Sequence, residues 1–390
     1  MGKRFVQNYA TPLLFLVLCA FGTYYSGLRP ITLVNEIIIR LARNSLLAIS
    51  LIIPILTGMG LNFGIVIGAM AAQAGYIITL NIGFGGVQGI LMTCVLSLPI
   101  AVVLGWMTGF LLNRARGKEM ITSIILSFFA NGVYQFVFMM LVGWIIPVRL
   151  TGMLLQNADG TPGIGIVNTV DLASMKYGID NLWKWDIAMK DIQSLVDAIG
   201  IGIQVPQGRP VSIPIGTFIL IFIFCAGMHF LFKTKQGQDF RSVGHDIGIA
   251  AISGIDVERV RIKAIIFSTV LACMGQIIFL QNIGNIQTYG SHVQVGTYAV
   301  ASLLIGGASV KKATVWQAIL GVFLFHTLFV VSPLAGKNLM NNVQIGEYFR
   351  VFISYGVICV ALSLHAWQER GKRAKVASSP PAPAPVKNAS

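Results

Sequence analysis

Charged side chains are scarce in this sequence of 390 residues: only 11% are Asp, Glu, Lys or Arg, whereas an ordinary soluble domain has about 25%. The shortage argues against a soluble protein, because a chain with 55% hydrophobic residues has too few polar groups to cover a water-facing surface. Runs of about 20 apolar residues are instead long enough to cross a bilayer core as helices. We therefore predict an all-α polytopic membrane protein.

Phosphate-binding and catalytic motifs are also missing. Four Gly-Lys pairs occur, but each lacks the glycine five positions earlier that a phosphate-cradling P-loop needs. The sequence contains no GxSxG, no HExxH and no paired catalytic carboxylates. These absences exclude ATP binding by a P-loop and leave no support for a membrane enzyme acting on lipid-linked substrates.

Cysteine and histidine are few and dispersed. The five cysteines lie singly inside apolar spans, without a CxxC or Cys/His pattern: Cys19, Cys94, Cys225, Cys273 and Cys359. The five histidines are interpreted as helix-end or packing residues: His229, His245, His292, His326 and His365. We expect no disulfide, no metal site and no cofactor.

Apolar spans, by contrast, fill most of the chain. They predict about ten transmembrane helices, at residues 11–27, 44–59, 60–82, 87–112, 121–147, 212–232, 260–282, 293–310, 313–334 and 349–367. Residues 1–367 would form the transmembrane domain. Residues 44–82 are nearly continuous and could instead hold broken half-helices.

The basic residues predict the topology. With the N-terminus inside, the cytoplasmic segments collect most of the 28 Lys and Arg residues but fewer than half of the 14 acidic residues. An even number of spans then puts both termini in the cytoplasm. The net charge of +14 does not indicate nucleic acid, because the basic residues form short clusters between spans rather than one surface.

Two segments are predicted to lie outside the membrane. Residues 148–211 would form an extracytoplasmic loop, with a helix-like stretch in DNLWKWDIAMKDIQSLVDAIG, residues 180–200. Residues 368–390 are rich in proline and poor in apolar residues, which predicts a disordered cytoplasmic tail.

Inside the spans the polar residues are mostly neutral, whereas nearly all charges fall in loops or at span ends. We interpret the neutral residues as candidates for a solute pathway, although such residues often only join helices: Asn62, Gln73, Asn131, Gln135, Gln276, Gln281 and Tyr298. The pattern favours an uncharged polar solute over ion coupling. Gly60, Gly64 and Gly68 recur every four residues, which predicts a helix face for close packing.

A polar segment, GQDFRSVGHDIGIAAISGI, separates two strongly apolar spans. As one helix over residues 240–254, it would place six residues on a face toward the membrane domain: Phe240, Val243, Ile247, Ala250, Ala251 and Gly254. The opposite side would expose Arg241, His245, Ile249 and Ile252. An apolar patch on that side indicates a docking site, whereas a helix lying on lipid is the alternative.

This segment resembles the G-x-x-x-R-x-x-G-x-N-x-x-A-A-x-x-S/A-G-I-x-V pattern of permease subunits of bacterial ABC importers for simple sugars, nucleosides and branched-chain amino acids. The matching residues are Gly237, Arg241, Gly244, Ala250, Ala251, Ser253, Gly254, Ile255 and Val257, and Asp246 replaces the usual Asn. The resemblance implies that residues 237–257, here called the coupling segment, form a cytoplasmic coupling helix. Its docking residues would be Gly237, Arg241, Gly244, Asp246, Ile249, Ala250, Ala251, Ile252 and Gly254.

A second stretch, from Leu61 to Gly75, is similar to the N-I-G-x-E-G-Q-M motif of the sugar and nucleoside branch, with Val66 in place of Glu. The resemblance, which spans roughly residues 40–365, implies a permease of the bacterial inner membrane that works by alternating access. Its expected partners are a second permease subunit, ATP-binding subunits that hydrolyse the ATP, and an extracytoplasmic solute-binding protein. The alternative is an ion-coupled carrier or channel acting without an ATPase partner.

Overall fold

The computed structural model describes residues 2–157, 159–187 and 211–352, then residues 355, 356, 358–360 and 363; the side chains of residues 2–10 and 151 are not included. The predicted tail, residues 188–200 of the predicted outer helix and much of the last predicted span lie outside the described residues.

Helices make up most of the described chain. They are α1 (Gly2–Ser26), α2 (Pro30–Ser50), α3 (Ile52–Leu56), α4 (Ile65–Ile82), α5 (Gly86–Arg114), α6 (Glu119–Phe136), α7 (Ile215–Lys233), α8 (Lys235–His245), α9 (Ile247–Ile252), α10 (Val257–Ile283), α11 (Ser291–Ile305) and α12 (Val315–Met340). A π-helical turn, Val137–Leu141, extends α6, and residues 343–352 are helical.

Among the described residues, seven helical stretches are long and apolar enough to cross a membrane: Pro30–Leu56, Ile65–Ile82, Gly86–Arg114, Glu119–Leu141, Ile215–Lys233, Val257–Ile283 and Val315–Met340. The apolar part of α1, Thr11–Ser26, and the 15-residue α11 are shorter. The polytopic helical architecture is thus confirmed, whereas the number ten stays a prediction.

The second predicted span is wrong at its beginning. Helix α2 begins at Pro30, 14 residues before the predicted start at residue 44, because Pro30 at the first helical position suits a helix N-terminus. The helix therefore contains Glu36, Arg40 and Arg43, which hydropathy alone had left outside the predicted spans.

The break between α3 and α4 settles how residues 44–82 divide. Residues 57–64 are not helical, and Gly58 and Gly60 adopt φ angles of 74° and 75°, a region that glycine enters readily. Gly60 and Gly64 consequently lie before α4, so the prediction that Gly60, Gly64 and Gly68 line one helix face is wrong. Gly68 alone remains on the helix, where a Cβ atom would lie 2.5 Å from the carbonyl oxygen of Thr269 in α10.

Contacts between helix ends define two ends of the bundle. At the end we call the coupling end, Gly58 packs against Gly244 in α8, and Arg116 lies 3.5 Å from Glu258 of α10. At the opposite end, which we call the loop end, the Asn35 side chain accepts a hydrogen bond from Ser212 N at 2.9 Å. Helix α10 runs the full distance between these two ends.

In the described part of the chain, six short strands pair at the loop end: β1 (Leu154–Gln156) with β2 (Pro162–Ile166), β3 (Thr169–Asp171) with β6 (Asn285–Gln287), and β4 (Lys184–Ile187) with β5 (Val211–Pro214), all antiparallel. The predicted helix over residues 180–200 is wrong for residues 180–187, which form a short 3₁₀ turn and β4. Pairing with β5, a partner distant in sequence, overrides the helical spacing of the apolar residues.

Helix α10 is the centre of the packing. It contacts α2, α4 and α5, and α2 also packs against α12, which in turn contacts α1 and α11. By contrast, only 11% of the residues in the apolar stretch of α6 and its π-helical extension are buried within the chain. The corresponding share for α7 is 17%. The exposed faces of α6 and α7 are therefore available to lipid or to another subunit.

Candidate functional site

The coupling segment forms two helices rather than the single helix expected over residues 240–254. Helices α8 and α9 are separated at Asp246, whose backbone is extended at φ −155° and ψ 116°. The Asp246 carboxylate caps α9, because its Oδ1 atom accepts hydrogen bonds from the N–H groups of Gly248 at 2.7 Å and Ile249 at 3.0 Å. Asn and Asp are about equally good at this position, so Asp246 can fill the capping role of an asparagine.

Three residues of the expected inner face are buried. Phe240 and Val243 in α8 are each 1% exposed, and Ala250 in α9 is 2% exposed. The Phe240 ring packs edge-on against Phe267 of α10, with ring centroids 6.3 Å apart. This face fastens the coupling segment to α10.

The other three residues of that face were predicted wrongly. Ile247, Ala251 and Gly254 are exposed, because the extended residue at 246 turns α9 away from the helical projection of α8. The error arises because the prediction applied one helical periodicity, 100° per residue, to residues on both sides of a helix break.

Glycines allow close packing at two positions of the segment. A Cβ atom at Gly237 would clash with the backbone of Leu231 and Phe232 at the end of α7, and one at Gly244 would clash with the carbonyl oxygen of Leu56. Gly254 has a different role, since its φ of 80° ends α9 in a left-handed conformation.

The outward side of the segment carries the expected exposed residues. Ile249 is 63% exposed and Ile252 is 89% exposed, and His245 is exposed beside them. Arg241 is also exposed, with its guanidinium 5.7 Å from the centroid of the Phe232 ring. Two large aliphatic side chains thus lie uncovered at the coupling end.

Two of the predicted pathway residues meet in a buried polar cluster. Gln73 in α4 and Asn131 in α6 are joined by His292 in α11, whose Nδ1 lies 2.8 Å from Gln73 Oε1 and whose Nε2 lies 2.8 Å from Asn131 Oδ1. Tyr134 donates to Gln73 Oε1 at 3.0 Å, and Gln73 donates to Ser291. A neutral imidazole has only one N–H donor. If Nδ1 carries the proton, it donates to Gln73 Oε1, and Nε2 then accepts from Asn131 once the Asn131 amide is flipped so that NH₂ replaces Oδ1 at this contact.

His292, Tyr134 and Ser291 were missed as members of this cluster. His292 was interpreted as a helix-end or packing residue; it does lie at the beginning of α11, and its fully buried imidazole also joins three helices. The sequence did contain one signal for this role: His292 lies beside an apolar span, where a ring nitrogen is buried and needs a hydrogen-bond partner.

The remaining pathway residues lie elsewhere. Asn62 accepts from Gly64 N at 2.9 Å in the non-helical stretch before α4, and Gln135 is half-buried one turn after Asn131. Gln276 is fully buried in α10, and neither of its amide atoms has a hydrogen-bond partner among the described residues. The predicted residues therefore do not form one site.

Gln281 belongs to a network at the loop end. Its Nε2 and the Nδ2 of Asn282 donate to the buried Asp180 carboxylate at 2.9 and 2.8 Å, and Thr217 of α7 donates to the same carboxylate. Arg43 donates to Asn282 Oδ1 at 3.3 Å. Gln281 thus fastens the outer loop to α10.

Tyr298 lies apart from these networks, on the wall of a cavity of about 500 Å³ beside α11. Its hydroxyl accepts a hydrogen bond from Gln294 Nε2 at 2.9 Å. Its ring packs against Phe325 and Phe329 of α12, with both centroid distances 5.3 Å. Of the seven predicted residues, Tyr298 is the one that borders this cavity.

Glu36, Arg40 and Arg43 inside α2 correct the expectation that charges lie in loops and at span ends, whereas the buried Arg261 lies near the beginning of α10, as expected. Arg261 is 1% exposed and pairs with Glu119, joining α10 to α6. Arg40 lies 3.4 Å from Glu36 and 5.1 Å from the Phe329 ring centroid. These guanidiniums are accommodated by partners on neighbouring turns and helices, which a hydropathy window cannot detect.

No group of three or more His, Cys, Asp or Glu side chains suited to a metal ion occurs within the part of the chain that the structure describes. The chemistry available at these sites is hydrogen bonding, aromatic packing and apolar contact.

Comparisons with known proteins confirm the predicted family resemblance. The family model described as "Branched-chain amino acid transport system / permease component" matches residues 33–362. The ribose import permease protein RbsC of Escherichia coli (strain K12) is 21% identical over 324 residues, covering 82% of this chain and 81% of that protein. No solved structure gives a significant match.

Two shorter similarities involve other import permeases. The autoinducer 2 import system permease protein LsrC of Klebsiella pneumoniae is 29% identical over 164 residues, or 41% of this chain and 44% of that protein. The fructose import permease protein FruG of Bifidobacterium longum is 26% identical over 219 residues, or 54% of this chain and 63% of that protein.

Proposed function

This chain belongs to the permease family of the branched-chain amino acid transport system, and we propose that it is the membrane-spanning subunit of an ATP-driven importer of a small, uncharged polar solute. The subunit lies in the bacterial inner membrane with both termini in the cytoplasm. It pairs with a second permease, identical or homologous, and with two ATP-binding subunits, and a solute-binding protein delivers the solute.

The observation that carries this proposal is the exposure of Ile249 and Ile252 on a segment that is otherwise well anchored. Phe240, Val243 and Ala250 hold the segment against the bundle, so the two isoleucines project from a fixed support. Covering one such side chain contributes about 1.5–3 kcal/mol, which makes the pair a suitable anchor for a partner protein.

The surroundings of the two isoleucines favour a protein partner over lipid. Asp246 and Asp256 are exposed on either side of α9, and the segment contains no tryptophan. Acidic side chains oppose binding to an anionic leaflet, whereas interfacial helices carry cations and aromatic residues. We therefore assign this surface to the ATP-binding subunit.

The contacts of the segment give a route for transmitting motion. Helix α8 rests on Leu56, at the end of the α2–α3 span, and on Phe267 of α10. A displacement of the docked ATP-binding subunit would move these two spans together. Because α10 continues to the loop end, the movement would reach the cavity beside α11 and change its access from one side of the membrane to the other.

The polar groups in the bundle and the relatives both support a proposal for the solute class. The cavity and the buried clusters offer amides, hydroxyls and tyrosine rings, which suit an uncharged polyhydroxylated solute. The relatives named above are import permeases for ribose, fructose and autoinducer 2. We propose a monosaccharide or a molecule of similar size.

The decisive test of docking is Ile249→Asp. A carboxylate at this exposed position leaves the fold intact but places a charge in the proposed interface, so co-purification of a tagged ATP-binding subunit should fall about tenfold or more. Ile249→Leu is the matched control and should retain the subunit. Equal recovery with both variants would show that the partner docks elsewhere.

A separate measurement addresses the alternative of an ion-coupled carrier. The purified chain alone, reconstituted in liposomes under an imposed ion gradient, should move no solute. Gradient-driven uptake without the ATP-binding subunit would contradict the proposal.

A further inference from the structure

A cavity of about 500 Å³ lies at the loop end between the segment that follows α10, the first half of α11 and the helix that begins at residue 343. Its polar and aromatic lining residues are Gln287, Tyr289, Gln294, Thr297, Tyr298 and Tyr355. The volume is within the range of sites for small organic ligands, about 300–1,000 Å³.

We propose that this cavity is the site where the permease holds its solute, and that the solute is an uncharged polyhydroxylated molecule of monosaccharide size. The inference rests on the proposed function, because it assigns the solute of that importer to one location. It adds to that function the binding residues, which the family pattern does not provide.

The hydrogen-bonding groups of the cavity match hydroxyl groups. Gln294 uses one N–H to reach the Tyr298 hydroxyl at 2.9 Å, and its amide has a second N–H donor and a carbonyl acceptor. Gln287 and Thr297 add another amide and another hydroxyl. A sugar hydroxyl both donates and accepts, so it can pair with each of these groups.

The aromatic wall is held in place. Tyr298 packs against Phe325 and Phe329 at centroid distances of 5.3 Å, so its ring is supported from behind by α12. A supported aromatic ring costs little side-chain entropy on binding and provides an apolar face for the C–H groups of a sugar ring.

None of the described residues that line the cavity carries a formal charge at neutral pH. Burial raises the pKa of the Tyr289 phenol above its usual value, which keeps that group neutral. The adjacent Arg350 does not line the cavity; its guanidinium lies 3.7 Å from the centroid of the Phe329 ring and pairs with Glu347. The cavity therefore offers no counter-charge to an ionised solute.

The rim of the cavity is joined to the outer loop by a strand pair and a hydrogen bond. Gln287 lies in β6, where it pairs with Thr169 of β3, and the Tyr289 hydroxyl donates to the carbonyl oxygen of Ile166 at 2.7 Å. A solute released at the loop end would meet this rim first. The rim is also continuous with α10, which begins next to the coupling segment.

The test is direct binding of sugars to the full chain in lipid nanodiscs, measured by saturation-transfer NMR with D-ribose, D-fructose and D-galactose. At least one of these should bind, and Gln294→Ala and Tyr298→Phe should each weaken that binding about five- to tenfold by removing a hydrogen-bonding group. Tyr298→Phe keeps the ring packed on α12, so the fold is preserved. Ribose 5-phosphate should bind to the parent chain no more tightly than the sugar binds to the weaker of these two variants.

Gln344→Ala is the matched control, because Gln344 is an exposed amide on the helix that begins at residue 343 and does not line the cavity. It should leave sugar binding unchanged. Three results would overturn the assignment: no panel sugar binds, the cavity variants bind as well as the parent, or the phosphorylated sugar competes equally. If any of these occurs while Ile249 variants still show specific loss of the ATP-binding subunit, the solute site is wrong and the importer assignment stands.

Discussion

Gly244 of α8 faces the carbonyl oxygen of Leu56 so closely that a Cβ atom at Gly244 would clash with it. Leu56 ends the α2–α3 span, whereas Gly244 lies near the end of α8, just before the helix break that leads to the exposed Ile249. Backbone therefore touches backbone where the proposed docking segment meets the first of the spans it would move.

Gly244→Ala should weaken this contact. The added methyl group must push α8 away from Leu56, and overpacking of this kind costs about 1–3 kcal/mol. We expect a lower midpoint in thermal unfolding of the detergent-solubilised chain and reduced solute-stimulated ATPase activity of the assembled importer.

The control for Gly244→Ala is Gly227→Ala in α7, where an added Cβ atom would meet nothing within 4 Å. That substitution should be neutral or slightly stabilising, since alanine favours a helix interior by about 1 kcal/mol over glycine. If both alanine variants behaved like the parent, the close approach at Gly244 would have no mechanical importance.

Asp246 should tolerate Asn but not Ala. Both Asp and Asn accept hydrogen bonds from the N–H groups of Gly248 and Ile249, whereas Ala leaves the first turn of α9 uncapped at a cost of about 1 kcal/mol. Hydrogen exchange of residues 247–252 should be faster in Asp246→Ala and unchanged in Asp246→Asn. Faster exchange in both variants would mean that the negative charge, rather than the cap, stabilises α9.

Ala250 and Ala251 should respond in opposite ways to leucine. Ala250 is 2% exposed, so Ala250→Leu overpacks the contact between α9 and the bundle by about 1–3 kcal/mol and should lower the yield of folded chain. Ala251 is exposed, so Ala251→Leu should fold normally. The two variants have the same composition, and size-exclusion profiles compare their yields of folded chain. An equal loss of folded chain in both would support the single helix over residues 240–254, in which both alanines face the bundle.

Much of the coupling segment was predictable because its two faces follow local periodicity. Phe240, Val243 and Ala250 are buried and Ile249 and Ile252 are exposed, as their spacing predicts. The break at Asp246 was not predicted, because aspartate is compatible with a helix interior as well as with an N-cap, and only the surrounding packing decides between them.

Elsewhere the prediction failed where the deciding partner is distant in sequence. Arg40 and Arg43 lie inside a span because the rings of Phe329 and Phe279 receive them, and β4 is a strand because β5 pairs with it. Hydropathy and helical spacing are local quantities. They placed most spans correctly, but they could not show that Gln73 and Asn131 meet at His292.

His292 should prove indispensable to the packing of α4, α6 and α11. His292→Leu removes both ring nitrogens, so the half-buried Asn131 loses its contact with the ring and the buried Gln73 keeps only Tyr134 and Ser291 as partners, at a cost of about 1–3 kcal/mol. The double variant Gln73→Leu with His292→Leu removes the Gln73 amide together with the ring and should be less unstable than the sum of the single changes predicts. Thermal unfolding of the three variants in nanodiscs measures this coupling. Strict additivity would show that the 2.8 Å contact contributes nothing, and that the imidazole only fills space between the helices.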